Sequence, residues 1–177
     1  MLKNSVSFLI DFDNVLADTL GGFLRVLNER KGLNIKSEDV KQYNVEKALL
    51  LKGINELWKI PEIYDGVDID RDALVFINWL KDHHIPYKIE SVGVSDATVE
   101  VKKQILLKNG IENFEFFTCH TNKNYSKYSY VIEDNPCVLD CDFNYVYMVK
   151  KPYNKGRAEG KSWKYINRLS DIVRELA

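Results

Sequence analysis

Residues 6–10 are largely apolar and lead straight into two aspartates one residue apart, Asp11 and Asp13, before a helical pattern begins near Thr19. A buried strand that ends in Asp-x-Asp carries two carboxylates at its carboxyl end. In an open parallel sheet that is where ligands bind. Neighbouring carboxylates repel each other, so the pair needs compensation. A divalent cation is the simplest form of it, and an all-oxygen donor set suits magnesium. The plainer alternative is a solvated strand end followed by a helix cap.

Five short runs rich in Val, Ile, Phe and Tyr read as strands, at residues 6–11, 86–91, 114–119, 130–133 and 145–149. Helical spacing separates them. Leu20, Phe23, Leu24 and Leu27 form one stripe, which stops at Lys31-Gly32. Leu74, Ile77 and Leu80 form a second, and Val99, Ile105 and Leu106 a third that ends at Asn109-Gly110. Ser37 before Glu38 and Asp39 reads as a helix start, and Ser162 as the cap of a final helix carrying Tyr165, Ile166, Leu169, Ile172 and Val173. This alternation predicts an α/β fold, a parallel five-stranded sheet with helices on both faces. Residues 18–70 contain no strand and are too long for a simple crossover. They are expected to be a helical insertion after strand 1, and residues 1–17 and 71–177 the core.

A second apolar strand, 130–133, also ends in paired acids, Glu133-Asp134, just before Asn135-Pro136. If the two acidic strand ends are neighbours, they make an oxygen-rich socket for one Mg2+. The longer arm of Glu133 also has the reach to touch an ion. By itself the pair would read equally well as an acidic turn.

Asp11-Phe12-Asp13-Asn14-Val15-Leu16-Ala17-Asp18 resembles the signature of the haloacid dehalogenase (HAD) superfamily of phosphohydrolases, Asp-x-Asp-x-(Thr/Val)-Leu-x-Asp. It is more similar still to the 5'(3')-deoxyribonucleotidase branch, Asp-Met-Asp-Gly-Val-Leu-Ala-Asp-Phe. Gly21-Gly22-Phe23-Leu24, Pro61-Glu62-Ile63-Tyr64 and Lys151-Pro152-Tyr153-Asn154 extend the similarity in the same order. The resemblance implies a HAD-like Rossmannoid sheet in the order 5-4-1-2-3, with residues 18–70 as a small cap over the site. It implies Asp11 as nucleophile and Asp13 as general acid and base, with Asp11, Asp13 and Asp134 around Mg2+. Phosphate contacts fall to Ser91, with Ser95 as the alternative, and to Lys123, with Lys127 a close rival and Lys102 or Lys103 behind it.

The implied reaction is Mg2+-dependent hydrolysis of a phosphomonoester, a (deoxy)nucleoside monophosphate for a 5'-nucleotidase, through an aspartyl-phosphate. The competing readings are a non-catalytic nucleotide- or phosphate-binding protein and a sugar phosphatase. Two departures stand out. Asn14 replaces the customary Gly, and Asn tolerates the backbone angles such a turn needs. Thr19 replaces an aromatic, which leaves Phe23, Tyr43, Trp58 and Tyr64 as candidate base contacts, each also a plausible core or rim residue.

The remaining features are bland. The 177-residue chain is 45% hydrophobic and 29% charged with a net charge of −1, so no basic excess marks a nucleic-acid polymer as partner. No run spans a bilayer, and the start reads as leaderless. Cys119, Cys137 and Cys141 lack metal-type spacing, which points to free thiols in a reducing cytoplasm. His83-His84 reads as a helix C-terminus rather than a metal pair. His120 reads as loop polarity.

Overall fold

The computed structural model describes residues 6–119 and 122–176; His120 lies outside them. Six parallel strands form one sheet in the order β3-β2-β1-β4-β5-β6. They are β1 (Phe8–Ile10), β2 (Tyr87–Val92), β3 (Phe114–Phe117), β4 (Tyr130–Glu133), β5 (Val146–Val149) and β6 (Trp163–Ile166). The first five take the implied order, and β1 is central. Ile10 pairs with Ile89 on one side and Ile132 on the other. The chain leaves β1 toward β2 and returns from β3 to β4 on its far side. The carboxyl end of β1 is therefore a topological switch point, where a crevice opens.

The sixth strand corrects the expectation of five. Trp163-Lys164-Tyr165-Ile166, read as the start of a helix, instead adds to β5 in parallel, Val146 opposite Trp163. Its aromatic and β-branched residues fit a pleated edge better than a helix. Asp171 Oδ2 then accepts from the Asn167 and Arg168 amides, at 3.2 and 3.0 Å, and turns the chain into helix α5 (Ser170–Leu176).

Four further helices are α1 (Thr19–Lys31), α2 (Val45–Leu49), α3 (Arg71–Asp82) and α4 (Asp96–Lys108). Phe8, Ile10, Ile89, Ile132 and Tyr147 face one way, into a core built with Phe76, Ile77, Leu80, Leu106 and Ile172 from α3, α4 and α5. Leu9, Val131, Val146 and Met148 face the other way, against Tyr125, Tyr128 and Val138. Those partners come from the short 3-10 turns Tyr125–Lys127 and Pro136–Asp140 and the residues beside them. Among the described residues, α-helices thus cover one face only, which corrects the expectation of helices on both. The connections on the second face form 3-10 turns instead, in stretches that carry Pro136 and several Asn.

Between β1 and β2 the chain is helical, with α1, α2, the 3-10 turns Ser37–Asp39, Ile54–Lys59 and Pro61–Tyr64, and finally α3. Ser37 opens only a 3-10 turn, in which Asp39 accepts from the Lys36 amide at 2.9 Å. A separate core of Leu20, Phe23, Leu24, Leu27, Val40, Val45 and Ile54 holds the first part of this region together. α1 ends at Gly32 (φ 63°), the left-handed stop its sequence predicts. His83 caps the C-terminus of α3, with its ring on Trp79, and Cys119, Cys137 and Cys141 are exposed.

Candidate active site

β1 and β4 lie side by side, and their acidic ends converge. Ligand oxygens of Asp11, Glu133 and Asp134 all lie within 4.8 Å of one another, and all three residues are buried. Asp11 is set at the strand end by its amide, which donates to Ile132 O at 3.0 Å. The chain then folds back tightly. Asn14 takes a left-handed conformation (φ 58°), the angle that favours Gly and that Asn accepts at least cost. Its side chain also works as a clasp. Oδ1 accepts from the Leu20 amide (2.8 Å) and the Thr19 hydroxyl (3.2 Å), and Nδ2 donates to Asp134 Oδ2 (3.3 Å). Thr19, standing where an aromatic is customary, is therefore buried in the start of α1.

Lys123 sits behind the acids. Its Nζ donates to Asp11 Oδ1 at 2.6 Å and to Glu133 Oε1 at 3.1 Å. Burial works to lower its pKa, but Asp11 and Glu133 overcome this and hold the ammonium above its ordinary value. Glu133 is satisfied by the protein itself. It also accepts from the Tyr125 hydroxyl (3.4 Å) and the amides of Asp134 (3.1 Å) and Asn135 (3.3 Å). Such a saturated carboxylate braces the cluster.

A second cation was only a minor candidate in the sequence. Lys102, from α4, is buried and donates to Asp13 Oδ2 (2.5 Å), Ser91 Oγ (3.0 Å) and Val92 O (2.8 Å). Ser91 Oγ also reaches Asp13 Oδ2 at 3.2 Å. Ser95, its alternative, is elsewhere: it caps α4 and donates to Lys59 O at 2.7 Å. Lys127 ends the 3-10 turn below the sheet, and Lys103 is exposed.

These groups surround a cavity of about 190 Å³ lined by Asp11, Asp13, Asn14, Lys102, Asp134 and a wall of other side chains. The wall is mainly apolar and aromatic: Leu20, Tyr43, Val45, Trp58, Tyr64, Val92, Val94 and Tyr153. Ser91 and Lys123 stand behind it rather than on it. Of the four aromatics proposed to meet a substrate, Tyr43, Trp58 and Tyr64 line the cavity. Phe23 is wholly buried and stacks under Trp58, with ring centroids 4.3 Å apart.

The electrostatics follow from the crowding of acids. Burial, then Glu133, raises Asp11 well above the usual carboxylate range, although Lys123 opposes them. Burial and Glu133 push Asp134 up to about 7, against the hydrogen bonds from Tyr153 and Asn14 and the charge of Lys151. Asp13 Oδ1 is buried without a hydrogen-bond partner. The four carboxyl groups of Asp11, Asp13, Glu133 and Asp134 share two ammonium groups, those of Lys102 and Lys123. A divalent cation such as Mg2+ would balance the two further negative charges that full ionisation of this hard-oxygen cluster gives.

Comparison with known proteins agrees with this arrangement. No family model matches the chain. The chain is 29% identical over 138 residues to "Putative 5'(3')-deoxyribonucleotidase" of Staphylococcus epidermidis, covering 74% of this chain and 75% of that protein. It is 28% identical over 141 residues to the Staphylococcus aureus protein of the same name, covering 76% of each. Among solved structures, a HAD family hydrolase of Deinococcus radiodurans with bound phosphate and sodium superimposes with a TM-score of 0.62 at 14% identity, over 97% of this chain and 95% of that one. A HAD-like hydrolase of Streptococcus pneumoniae gives 0.63 at 8% identity, over 98% and 99%. A Bacillus subtilis HAD-hydrolase bound to magnesium gives 0.57 at 12% identity, over 98% and 99%. The sheet order is that of a HAD-like fold, and in sequence the chain is similar to proteins named "Putative 5'(3')-deoxyribonucleotidase".

Proposed function

We propose that the chain is a Mg2+-dependent phosphomonoester hydrolase that acts on (deoxy)nucleoside monophosphates through an aspartyl-phosphate on Asp11. The observation that carries this reading is the cluster of Asp11, Glu133 and Asp134 within 4.8 Å, opening on a cavity that Asp13 and Lys102 share. Asp11 and Asp134 would hold the cation, with Asp13 beside them. The cation would offset charge on the phosphoryl oxygens and keep Asp11 ionised.

The chain's own residues account for the remaining steps. An Asp11 oxygen attacks phosphorus and the ester oxygen departs, taking a proton from Asp13. Asp13 then removes a proton from water, which attacks phosphorus and returns Asp11 with release of phosphate. Lys123 is fully engaged by Asp11 and Glu133, so its part is to hold the nucleophile in line. Lys102 is the cation on the cavity wall. By moving its donors from Asp13 to a phosphoryl oxygen, it would bind the developing charge and free Asp13 to carry a proton.

Residues 18–70 would act as a small cap. Tyr43, Trp58 and Tyr64, all from this stretch, line the cavity and would close over the organic part of the substrate. The sequence relatives named as deoxyribonucleotidases support a nucleotide. Exposed cysteines, with no helix among the described residues long and apolar enough to cross a membrane, fit a site of action in the cytoplasm.

The test is phosphate release from a panel of 5'- and 3'-nucleotides and sugar phosphates, with Mg2+ and with EDTA. Nucleoside monophosphates should be hydrolysed best, EDTA should abolish turnover, and Asp11→Asn should lower it at least about 10³-fold. Faster hydrolysis of sugar phosphates would overturn the substrate and spare the mechanism. Full activity of Asp11→Asn would overturn the mechanism.

A further inference from the structure

The segment after β5 has no part in the phosphate chemistry above, yet it is locked onto the metal-ligand strand. Asn154 Nδ2 donates to both Asp134 O and Val149 O at 2.8 Å, and its Oδ1 accepts from the Lys151 amide at 2.9 Å. This closed turn aims Tyr153 into the site. The Tyr153 hydroxyl donates to Asp134 Oδ2, the same oxygen that Asn14 Nδ2 reaches from the opposite loop. The Tyr153 ring in turn meets Tyr43 edge-on, with centroids 5.7 Å apart and planes at 70°. Tyr43 belongs to the helical insertion, so one tyrosine joins the insertion to the carboxylate.

We propose that Tyr153 is a positioning residue for the cation: its hydroxyl fixes the plane of the Asp134 carboxylate and so sets divalent-metal affinity, and its contact with Tyr43 makes that affinity depend on how the insertion is seated. The inference rests on the reading of Asp11 and Asp134 as a cation site. Its physical basis is that a hydrogen-bond donor behind a ligating carboxylate orients the ligand, and losing one typically weakens metal binding 10–100-fold.

The test is binding of Mn2+ alone, followed by electron paramagnetic resonance, to the wild type, Tyr153→Phe and Asp134→Asn. The Phe variant keeps the ring against Tyr43 and removes only the hydroxyl. The wild type should bind one Mn2+, Asp134→Asn should lose it, and Tyr153→Phe should bind about 10–100-fold more weakly. In turnover, the Phe variant should need proportionately more Mg2+ yet keep most of its kcat once saturated, a split that a merely structural tyrosine would not produce. Wild-type affinity in Tyr153→Phe, with loss in Asp134→Asn, would overturn the role of Tyr153 and leave the cation site standing. Equal binding by wild type and Asp134→Asn would overturn the cation site itself. A measurement on the unaltered chain guards against a variant that fails to fold. The ring-carbon NMR signal of Tyr153 should shift with the same half-saturation as metal binding, and an unmoved signal would contradict the proposal.

Discussion

Lys102 bears more of the site's chemistry than its position in the sequence advertises. It lies on the buried side of α4 with Thr98, Ile105 and Leu106, so a lysine interrupts an otherwise buried stripe. That interruption was the available signal, because a lysine is almost never fully buried without a partner. Replacing Lys102 by Met keeps its length and apolar stem, so the fold should survive. The phosphate cation would be lost, and kcat/KM should fall about 10²–10³-fold, read by steady-state kinetics. Other residues were legible for chemical reasons. Asp11, Asp13 and Asp134 end apolar strands, and Asn14 stands where only Gly or a close substitute fits. Position at the end of the second strand favours Ser91 over Ser95, but only weakly, because both hydroxyls lie near that end. Only the structure separates the one that reaches Asp13 from the one that caps α4.

At the level of elements, strands with aromatic and β-branched runs were readable, while the boundary between β6 and α5 was not. Trp163 to Ile166 suits either a strand or the start of an amphipathic helix, and pairing with β5 decides it. The helices missing from one face were also illegible, since strand–helix alternation does not tell a 3-10 turn from an α-helix in those connections. Packing of the insertion makes a separate prediction. A Cβ on Gly22 would stand 1.9 Å from the carbonyl oxygen of Ile63, so α1 and the Pro61–Tyr64 turn touch backbone to backbone. Gly22→Ala should destabilise the protein by about 1–3 kcal/mol despite alanine's better helix propensity, measured by urea unfolding. A gain in stability would mean that α1 and the turn do not pack this closely.

Across the whole molecule, the sheet concentrates negative charge at one end, and this leaves a mark on stability. Asp134 holds its proton more tightly in the folded protein than in the unfolded chain, with a pKa of about 7 against an ordinary 3.8. Its contribution is therefore fully present below the ordinary carboxylate range and is lost as pH rises through about 7. Without metal, the protein should become less stable over that window relative to Asp134→Asn, in which this slope disappears. Mg2+ should restore the loss at the upper end, by about 2.7 kcal/mol at one hundred times its dissociation constant. Denaturant titrations at several pH values, with Mg2+ or EDTA, would read both effects. A crystal structure grown with Mg2+ and beryllium fluoride, a mimic of the bound phosphoryl group, would examine the acidic cradle itself. The fluoride adduct should sit on a carboxylate oxygen of Asp11, beside one Mg2+ touching Asp11 and Asp134, with Lys102 turned toward the fluorines. A cation bound away from Asp134, or an adduct on any other residue, would contradict it.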